Sequence, residues 1–341
     1  RGRKVKNWFY LSAVGVPLFA LLIIYATHAH NDNMLRVVQG FWGVAFTFMQ
    51  IPILPFILRN TSKETQTLAI SLSFSTWSLA GIFGSSVAFM LNGFNPELFN
   101  ERNLLTGFSL LSFAGIFFLL KVKMNEKTSE VVKGKKRLHV ATGNNWKLIL
   151  HTLIPTLVIA IGAGLTIPFI NLFFSRVHTL NTDTISFWNF VAAFLVAIAA
   201  LFVPRIKKGI GYKVAIPTTQ SFAVISLALL ATTEYYSELA IASAIAVGCY
   251  LLRQPLMNMA GPMTSEISMK YVGKRNQEIT SALNAAIWSG SWFVCARLVK
   301  SMREAGWPFV QIFLITSALY AVGVVLFYLL ILAYNKREEA G

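Results

Sequence analysis

Charged side chains are scarce in this sequence. Asp, Glu, Lys and Arg make up 13% of its 341 residues, whereas a typical soluble domain has about 25%. Hydrophobic residues make up 55%, and the mean hydropathy is +0.59. This composition excludes an ordinary soluble domain and predicts an all-α, polytopic membrane protein.

Acidic residues are the scarcer charge type, with 14 Asp and Glu against 30 Lys and Arg, and the net charge is +16. A positive excess of this size can indicate nucleic-acid binding. Here the basic residues lie in the gaps between apolar runs, which is the pattern of membrane topology. We therefore expect a lipid bilayer, and no nucleic acid, as a partner.

Cysteine and histidine are also rare. Cys249 and Cys295 both lie inside apolar runs, which predicts buried thiols and no disulfide framework. The five histidines show no spacing that suits a metal site, and there is no Ser/His/Asp grouping or phosphate-cradling glycine loop. We predict no enzyme, no metal and no cofactor. Without a soluble nucleotide-binding domain, an ATP-driven transporter is excluded for this chain alone.

Ten apolar segments are long enough to cross a bilayer, which takes about 20 helical residues. They lie near residues 8–28, 36–58, 67–92, 102–121, 148–174, 184–204, 213–232, 238–262, 277–298 and 308–334. No Asp or Glu lies in the central part of any of them. A proton-coupled transporter generally needs a group there that changes charge. A carboxylate in absent helices, coupling to another ion, and uniport all stay open.

The second half of the chain repeats features of the first. Gln66 is followed eleven residues later by Trp77, and Gln277 is followed by Trp288 at the same spacing, an offset of 211. Between the halves lies a basic stretch with eight Lys or Arg and two Glu. We predict an internal duplication, with an N-terminal half over 1–120, a linker over 121–147 and a C-terminal half over 148–341.

The distribution of Lys and Arg supports this arrangement of membrane-crossing segments. If the ten segments alternate across the bilayer, 23 Lys and Arg fall on the side of Arg1 and six fall on the other side. This asymmetry agrees with the positive-inside rule. It predicts a multi-pass protein of the inner or plasma membrane with the 121–147 linker in the cytoplasm.

Two short basic segments carry a resemblance to a known family. Arg1-Gly-Arg-Lys4 directly precedes an apolar segment and resembles the end of the motif G-x-x-x-D-R-x-G-R-K. The major facilitator superfamily of secondary transporters has this motif between its helices 2 and 3. The segment Pro204-Arg-Ile-Lys-Lys-Gly-Ile-Gly-Tyr-Lys213 resembles a degenerate second copy between helices 8 and 9. With the repeat and the topology, the resemblance covers the whole chain.

The resemblance implies a 6+6 bundle of transmembrane helices, of which ten are present and helices 1 and 2 are absent. It also implies that the motif latches helix ends together during alternating access. The residues that match the motif's two copies are Gly2, Arg3, Lys4, Arg205, Gly211 and Lys213.

Arg253 is the one charged residue deep inside a predicted span. Such a charge normally faces a cavity or a partner, so we predict that it contacts an anionic group of a solute or forms half of a gating ion pair. The alternatives are snorkelling to the headgroups, or a bond to carbonyls freed by Pro255.

Gln50 and Gln254 occupy corresponding positions, each shortly before a proline. The resemblance places them on helices 4 and 10, which line the central cavity of the family. The structural alternative is that each amide caps a kinked helix.

Trp77 and Trp288 lie near the middle of their spans, where tryptophan is unusual and its N–H needs a partner or a cavity. Asn284 precedes Trp288 by one turn and shares its face. Asn171 follows Pro168 and either faces the cavity or satisfies freed carbonyls. We predict that all four line the solute site, with plain helix packing as the alternative for the tryptophans.

The combined prediction is a secondary active transporter of a small organic solute that works by alternating access, with efflux favoured. Two alternatives stay open. One is an uptake symporter or uniporter, for which Arg253 suggests an anionic substrate. The other is a receptor or scaffold that has the fold without transport. A monomer is expected, and a coupling proton or another ion is left open as a partner.

Overall fold

The structure is a computed structural model that describes residues 6–62, 64–121 and 145–339. Within these ranges the regular elements are all helices. The predicted latch residues Gly2, Arg3 and Lys4, and most of the predicted linker 121–147, lie outside the described residues.

The described residues form eleven α-helices. They are α1 (Lys6–His28), α2 (Asp32–Asn60), α3 (Gln66–Phe94), α4 (Glu101–Ser112), α5 (Gly115–Lys121), α6 (Trp146–Thr166), α7 (Ile170–Val177), α8 (Thr182–Thr232), α9 (Ala240–Val272), α10 (Gln277–Glu304) and α11 (Phe309–Glu339). Two 3₁₀ turns, Ile167–Phe169 and Thr233–Tyr236, join α6 to α7 and follow α8.

Asparagine side chains start three of these helices. Asn31, Asn100 and Asn181 each accept a hydrogen bond from the backbone N–H three residues on, at 2.8 to 3.0 Å. This bond satisfies one of the donors that a helix leaves free at its first turn. The polar loop residues therefore fix where each apolar segment becomes helical.

The prediction of ten membrane-crossing helices is not exact. Eight helical segments of the described chain are long and apolar enough to cross a membrane. The spans predicted at 184–204 and 213–232 form one helical element, Asp183–Tyr236. The span predicted at 277–298 is helical, as α10, but it is too polar to be among the eight.

A break at Gly211 explains the merged pair. A continuous helix of 51 residues, the length of α8, would measure about 77 Å at 1.5 Å per residue, against about 30 Å for the bilayer core. Gly211 has φ 67° and ψ 172°, which is not helical. The chain therefore has a turning point between two segments, each long enough for one crossing.

The chain divides into two compact units. One comprises Arg1–Ser62 and Phe83–Thr142, and the other comprises Lys63–Ile82 and Gly143–Gly341. In the first unit, α1 packs on α2 and α4. Ring pairs such as Trp8–Phe48 and Phe9–Phe56 join α1 to α2, with centroids 4.9 and 5.5 Å apart.

The second unit has the larger buried core. Here α6 packs on α10 and α11, and α8 packs on α9 and α11. Close approach of α6 and α10 depends on Gly164, because a Cβ at this position would lie 2.8 Å from the Cβ of Cys295 and 3.0 Å from the carbonyl oxygen of Ser291. Small residues allow apolar helices to approach closely where lipid supplies no hydrophobic driving force. Both predicted buried thiols are free; Cys295 is buried and Cys249 half-buried.

Candidate functional site

Helix α9 presents a stripe of polar side chains at successive turns. Tyr250, Gln254 and Asn258 are four residues apart, so they share one face of the helix. With Asn189 of α8 and Ser78 of α3, they line a cavity of about 180 Å³. Three small apolar residues of α8 complete its wall. All of these residues belong to the second unit.

A chain of hydrogen bonds connects the polar wall of this cavity. Gln254 donates from Nε2 to the Tyr250 hydroxyl at 3.1 Å, and that hydroxyl donates to Asn189 Oδ1 at 2.8 Å. Asn189 in turn donates from Nδ2 to Asn171 Oδ1 at 3.2 Å. The chain of hydrogen bonds links α9 to α8 and α8 to α7.

Arg253 supplies the first donor of this chain. Its guanidinium donates to Gln254 Oε1 at 3.4 Å and to the Tyr320 hydroxyl at 3.3 Å, and it lies 5.7 Å from the centre of the Tyr320 ring. The side chain is 2% exposed. Among the described residues, its hydrogen-bond partners are these two neutral side chains.

Tyr320 reaches Arg253 because α6 has a glycine opposite it. A Cβ at Gly162 would lie 3.0 Å from Cε1 and 3.1 Å from Cδ1 of Tyr320. The Tyr320 ring is 1% exposed. The missing side chain on α6 therefore sets the position of the tyrosine on α11, and the tyrosine supports the arginine on α9.

The structure brings together three of the seven predicted solute-site residues: Arg253, Gln254 and Asn171. The other four are not among the residues that line this cavity. Trp77 is 58% exposed and is not part of the cavity wall. Trp288 packs against the core of the second unit, Asn284 is half-buried on the same helix, and Gln50 is an exposed residue of the first unit.

Asn189, Tyr250 and Tyr320 belong to the network and are absent from the sequence prediction. Tyr250 and Asn258 could have been found, because they lie one turn before and one turn after Gln254 on the same helical face. Asn189 is a lone amide in an apolar run, which is a weaker signal. Tyr320 lies 67 residues from Arg253 in sequence, and no local pattern indicates that pairing.

A second polar cluster surrounds Glu266, near the end of α9. The Glu266 cluster consists of Glu266, Lys207, Lys270 and Thr67. Lys207 and Lys270 donate to Glu266 Oε1 at 2.9 and 2.7 Å, and Thr67 donates to Oε2 at 2.6 Å. Lys207 also donates to the Thr67 hydroxyl. The carboxylate is fully buried and has a partner on both oxygens, as a buried charge requires.

The span predicted at 238–262 ended before this carboxylate. Helix α9 continues to Val272, so Glu266 is a buried acidic residue inside a helix that is apolar enough to cross the membrane. The apolar run stops near Pro262 in the sequence, but the helix continues, and the Glu266 carboxylate in its last turns has partners on α8 and α3.

The segment 204–213, which contains the second copy of the predicted latch motif, contributes Lys207 to this cluster. Lys207 is not one of the predicted latch residues. Lys207 forms the ion pair, whereas Arg205 and Lys213 are exposed. Gly211 forms the break in α8, and the ring of the next residue, Tyr212, lies 4.7 Å from the Lys207 ammonium. The segment resembling the motif thus joins α8 to α9 and to the start of α3.

These features define a class of protein: a multi-pass helical membrane protein in which a polar cavity and a buried ion-pair cluster interrupt apolar helices. The particular family follows from the sequence. The model of the Major Facilitator Superfamily matches residues 3–296, and the chain belongs to that superfamily. No curated protein sequence matches the chain significantly.

Solved structures show the same fold at low sequence identity. A bacterial homologue of the iron transporter ferroportin, in an outward-facing state, has a TM-score of 0.69 at 10% identity, over 98% of this chain and 84% of its own. The proton:xylose symporter XylE has 0.69 at 13%, over 94% and 78%. The Escherichia coli fucose:proton symporter FucP has 0.66 at 13%, over 96% and 83%. The fold is that of a transporter superfamily, so the chain is an integral, multi-pass membrane protein.

Proposed function

We propose that the chain is a secondary active transporter that moves a small organic solute by alternating access, and that the cavity beside Gln254 is its solute site. The cavity carries this proposal. Its wall has five polar side chains in a region where polar groups are costly unless they serve a partner or a path. Its volume of about 180 Å³ is below the roughly 300 to 1,000 Å³ of pockets for drug-sized ligands, which favours a small solute.

The test is transport by the natural full-length protein in proteoliposomes, with solute gradients imposed in either direction. Asn189→Ala removes the amide that joins the cavity to α7. We expect it to lower transport strongly, whereas Ser221→Ala, which changes an exposed hydroxyl on the same helix, should leave transport unchanged. Equal transport by both variants would remove the cavity from the pathway.

We propose efflux as the working direction and the inner or plasma membrane as the location, with the 121–147 linker in the cytoplasm and a monomer as the active form. The direction is tested by imposing an ion gradient at equal solute concentrations and measuring on which side of the membrane the solute accumulates, because a solute gradient alone drives flux downhill through any competent carrier. Flux that rises with an imposed pH gradient would identify a proton as the coupling ion. Complete absence of flux would favour a receptor or scaffold.

We further propose that the Glu266 cluster is part of the conformational latch that the basic motif predicts. Its ion pair to Lys207 and its hydrogen bond from Thr67 join α9 to α8 and α3 through one buried carboxylate, so opening the cluster would leave charges unpaired. Glu266→Gln should therefore change the rate of solute exchange more than the apparent affinity for solute. Glu304→Gln is the matched control, because the Lys300–Glu304 pair is exposed and 3.7 Å long. A pure loss of affinity in Glu266→Gln would contradict the latch role.

A further inference from the structure

In the part of the chain that the structure describes, the positive charge of Arg253 has no counter-ion. Among the described residues its guanidinium contacts a neutral amide, a neutral hydroxyl and an aromatic ring, and its Nε has no hydrogen-bond partner. The side chain is almost completely buried. A buried charge that lacks an opposite charge is strongly disfavoured, so the site is electrostatically incomplete without an anion.

The hydrogen bonds that start at Arg253 all run in one direction. Arg253 donates to Gln254, Gln254 to Tyr250, Tyr250 to Asn189, and Asn189 to Asn171. Arginine has only donors, so it fixes this direction for the groups that follow. The amide oxygens of Gln254 and Asn189 are thereby used inside the protein.

The cavity is consequently rich in donors. Each amide nitrogen has two hydrogens, and Gln254 and Asn189 each use one of them in the chain, which leaves one N–H apiece beside the cavity. Asn258 donates one of its two N–H groups to the backbone oxygen of Gln254 at 2.8 Å. Its side-chain oxygen, the Ser78 hydroxyl and the Tyr250 hydroxyl are further polar groups of the wall. No carboxylate is among the lining residues.

We propose that the transported solute is a small organic monoanion. Its carboxylate accepts hydrogen bonds from Gln254 and Asn189, and the charge of Arg253 lies directly behind Gln254. A single negative charge fits because Arg253 is the one charged member of the network. The oxygen of Asn258 suits a hydroxyl on the solute. This inference rests on the proposed transport function and specifies its substrate class.

The test is a counterflow experiment with the natural full-length protein in proteoliposomes, which does not depend on the direction of transport. Acetate, lactate and benzoate are each compared with their primary amides, which have nearly the same shape without the charge. We expect at least one acid to exchange and to compete at least about tenfold better than its amide. Arg253→Gln should abolish that preference, and Arg253→Lys should keep part of it.

A second variant, Gln254→Glu, tests the proposal even if Arg253→Gln does not fold. Gln254→Glu has nearly the same shape and places a carboxylate beside Arg253, which supplies the missing counter-ion. It should fold at least as well as the wild type, lose exchange of the acid and keep or gain exchange of the amide. Exchange of the acid that survives in Gln254→Glu would overturn the inference.

The two proposals fail in different ways. Amides that exchange as well as their acids in the wild type would overturn the monoanion and leave the transport function standing. Exchange of neither acids nor amides, together with no stabilisation of the purified protein by any of the acids on heating, would overturn the monoanion, and only the absence of flux in the gradient experiment would overturn the transport function.

Discussion

Gly162 illustrates how an absent side chain can position a charge. The glycine on α6 admits the Tyr320 ring of α11, and the tyrosine hydroxyl then accepts a hydrogen bond from Arg253. The position of the arginine on α9 thus depends, through Tyr320, on a contact made by α6. At the scale of residues, the site depends on such indirect supports as well as on the groups that face the cavity.

Gly162→Ala should therefore weaken both stability and function. The added Cβ would lie 3.0 Å from the ring, and overpacking of a buried position typically costs about 1 to 3 kcal/mol. We expect a lower thermal unfolding temperature and weaker solute exchange. Gly248→Ala is the control, since a Cβ there meets nothing within 4 Å. Equal behaviour of the two variants would show that Tyr320 adjusts freely.

His178 makes the stability of the protein depend on pH. It lies in the turn after α7, where Thr233 Oγ1 is 2.9 Å from its Nε2 and the rings of Phe173 and Phe174 pack against it. Burial lowers the pKa of His178 below its ordinary value near 6.5. The native state therefore holds the neutral ring, while the unfolded chain takes up a proton at a higher pH.

The sign of the effect follows from this lowered pKa. The stabilisation is complete above about pH 6.5 and is lost as the pH falls from there towards the folded-state pKa. The thermal unfolding temperature of the purified protein should drop between about pH 7.5 and pH 5.5. The drop should be smaller in His178→Gln. It should be unchanged in His30→Asn, because His30 is exposed and its positive φ of 49° suits asparagine.

The sequence analysis selected polar and charged residues that lie inside apolar runs. Arg253 is a lone charge, and Gln254 and Asn171 are lone amides near prolines; the structure places all three in one network. Tyr320 was missed because a tyrosine in an apolar run is compatible with plain packing. Whether any of the seven predicted residues, including Trp77, Trp288, Asn284 and Gln50, takes part in solute binding stays a prediction, to be tested by substitution.

In helix α8, the backbone conformation of Gly211 interrupts the helix and changes the direction of the chain. Gly211 has φ 67° and ψ 172°, a combination that is essentially restricted to glycine. A Cβ there would meet no neighbouring atom within 4 Å. Any cost of substitution therefore comes from the backbone itself and not from crowding.

Gly211→Ala should destabilise the protein by about 1 to 3 kcal/mol through this backbone strain. The measurement is the thermal unfolding temperature in detergent, together with the yield of folded protein. Gly209→Ala is a matched control two residues earlier, with equally open space and a helical backbone. It should be neutral or slightly stabilising. A harmless Gly211→Ala would mean that the break in α8 does not need this conformation.

The helix ends show what apolar runs can and cannot predict. Predicted 8–28 and 67–92 agree within two residues with Lys6–His28 and Gln66–Phe94. Predicted 238–262 ends ten residues before α9 does. The extra turns are stabilised by Lys207 and Thr67, partners that lie far away in sequence and carry no local signal.

At the scale of the molecule, the membrane topology can be tested directly. The distribution of Lys and Arg predicts that the segments around 205–213 and 270–275 lie on the same side of the membrane, and that 297–303 lies on the other. Single cysteines introduced at Lys208, Lys274 and Lys300, after replacement of Cys249 and Cys295, should react accordingly with an impermeant thiol reagent. Labelling of Lys300→Cys from the same side as the other two would require a different threading.

Helix α10 has a consequence for how the protein is assembled. It is 28 residues long, yet its sequence is too polar to be among the eight strongly apolar segments. A segment enters the bilayer on its own only if it is apolar enough. Helix α10 therefore needs a partner during biogenesis, and α6 provides one through the close contact of Gly164 with Cys295. The second unit would then be completed by co-insertion, with the order of synthesis placing α6 in the membrane before the helix that depends on it.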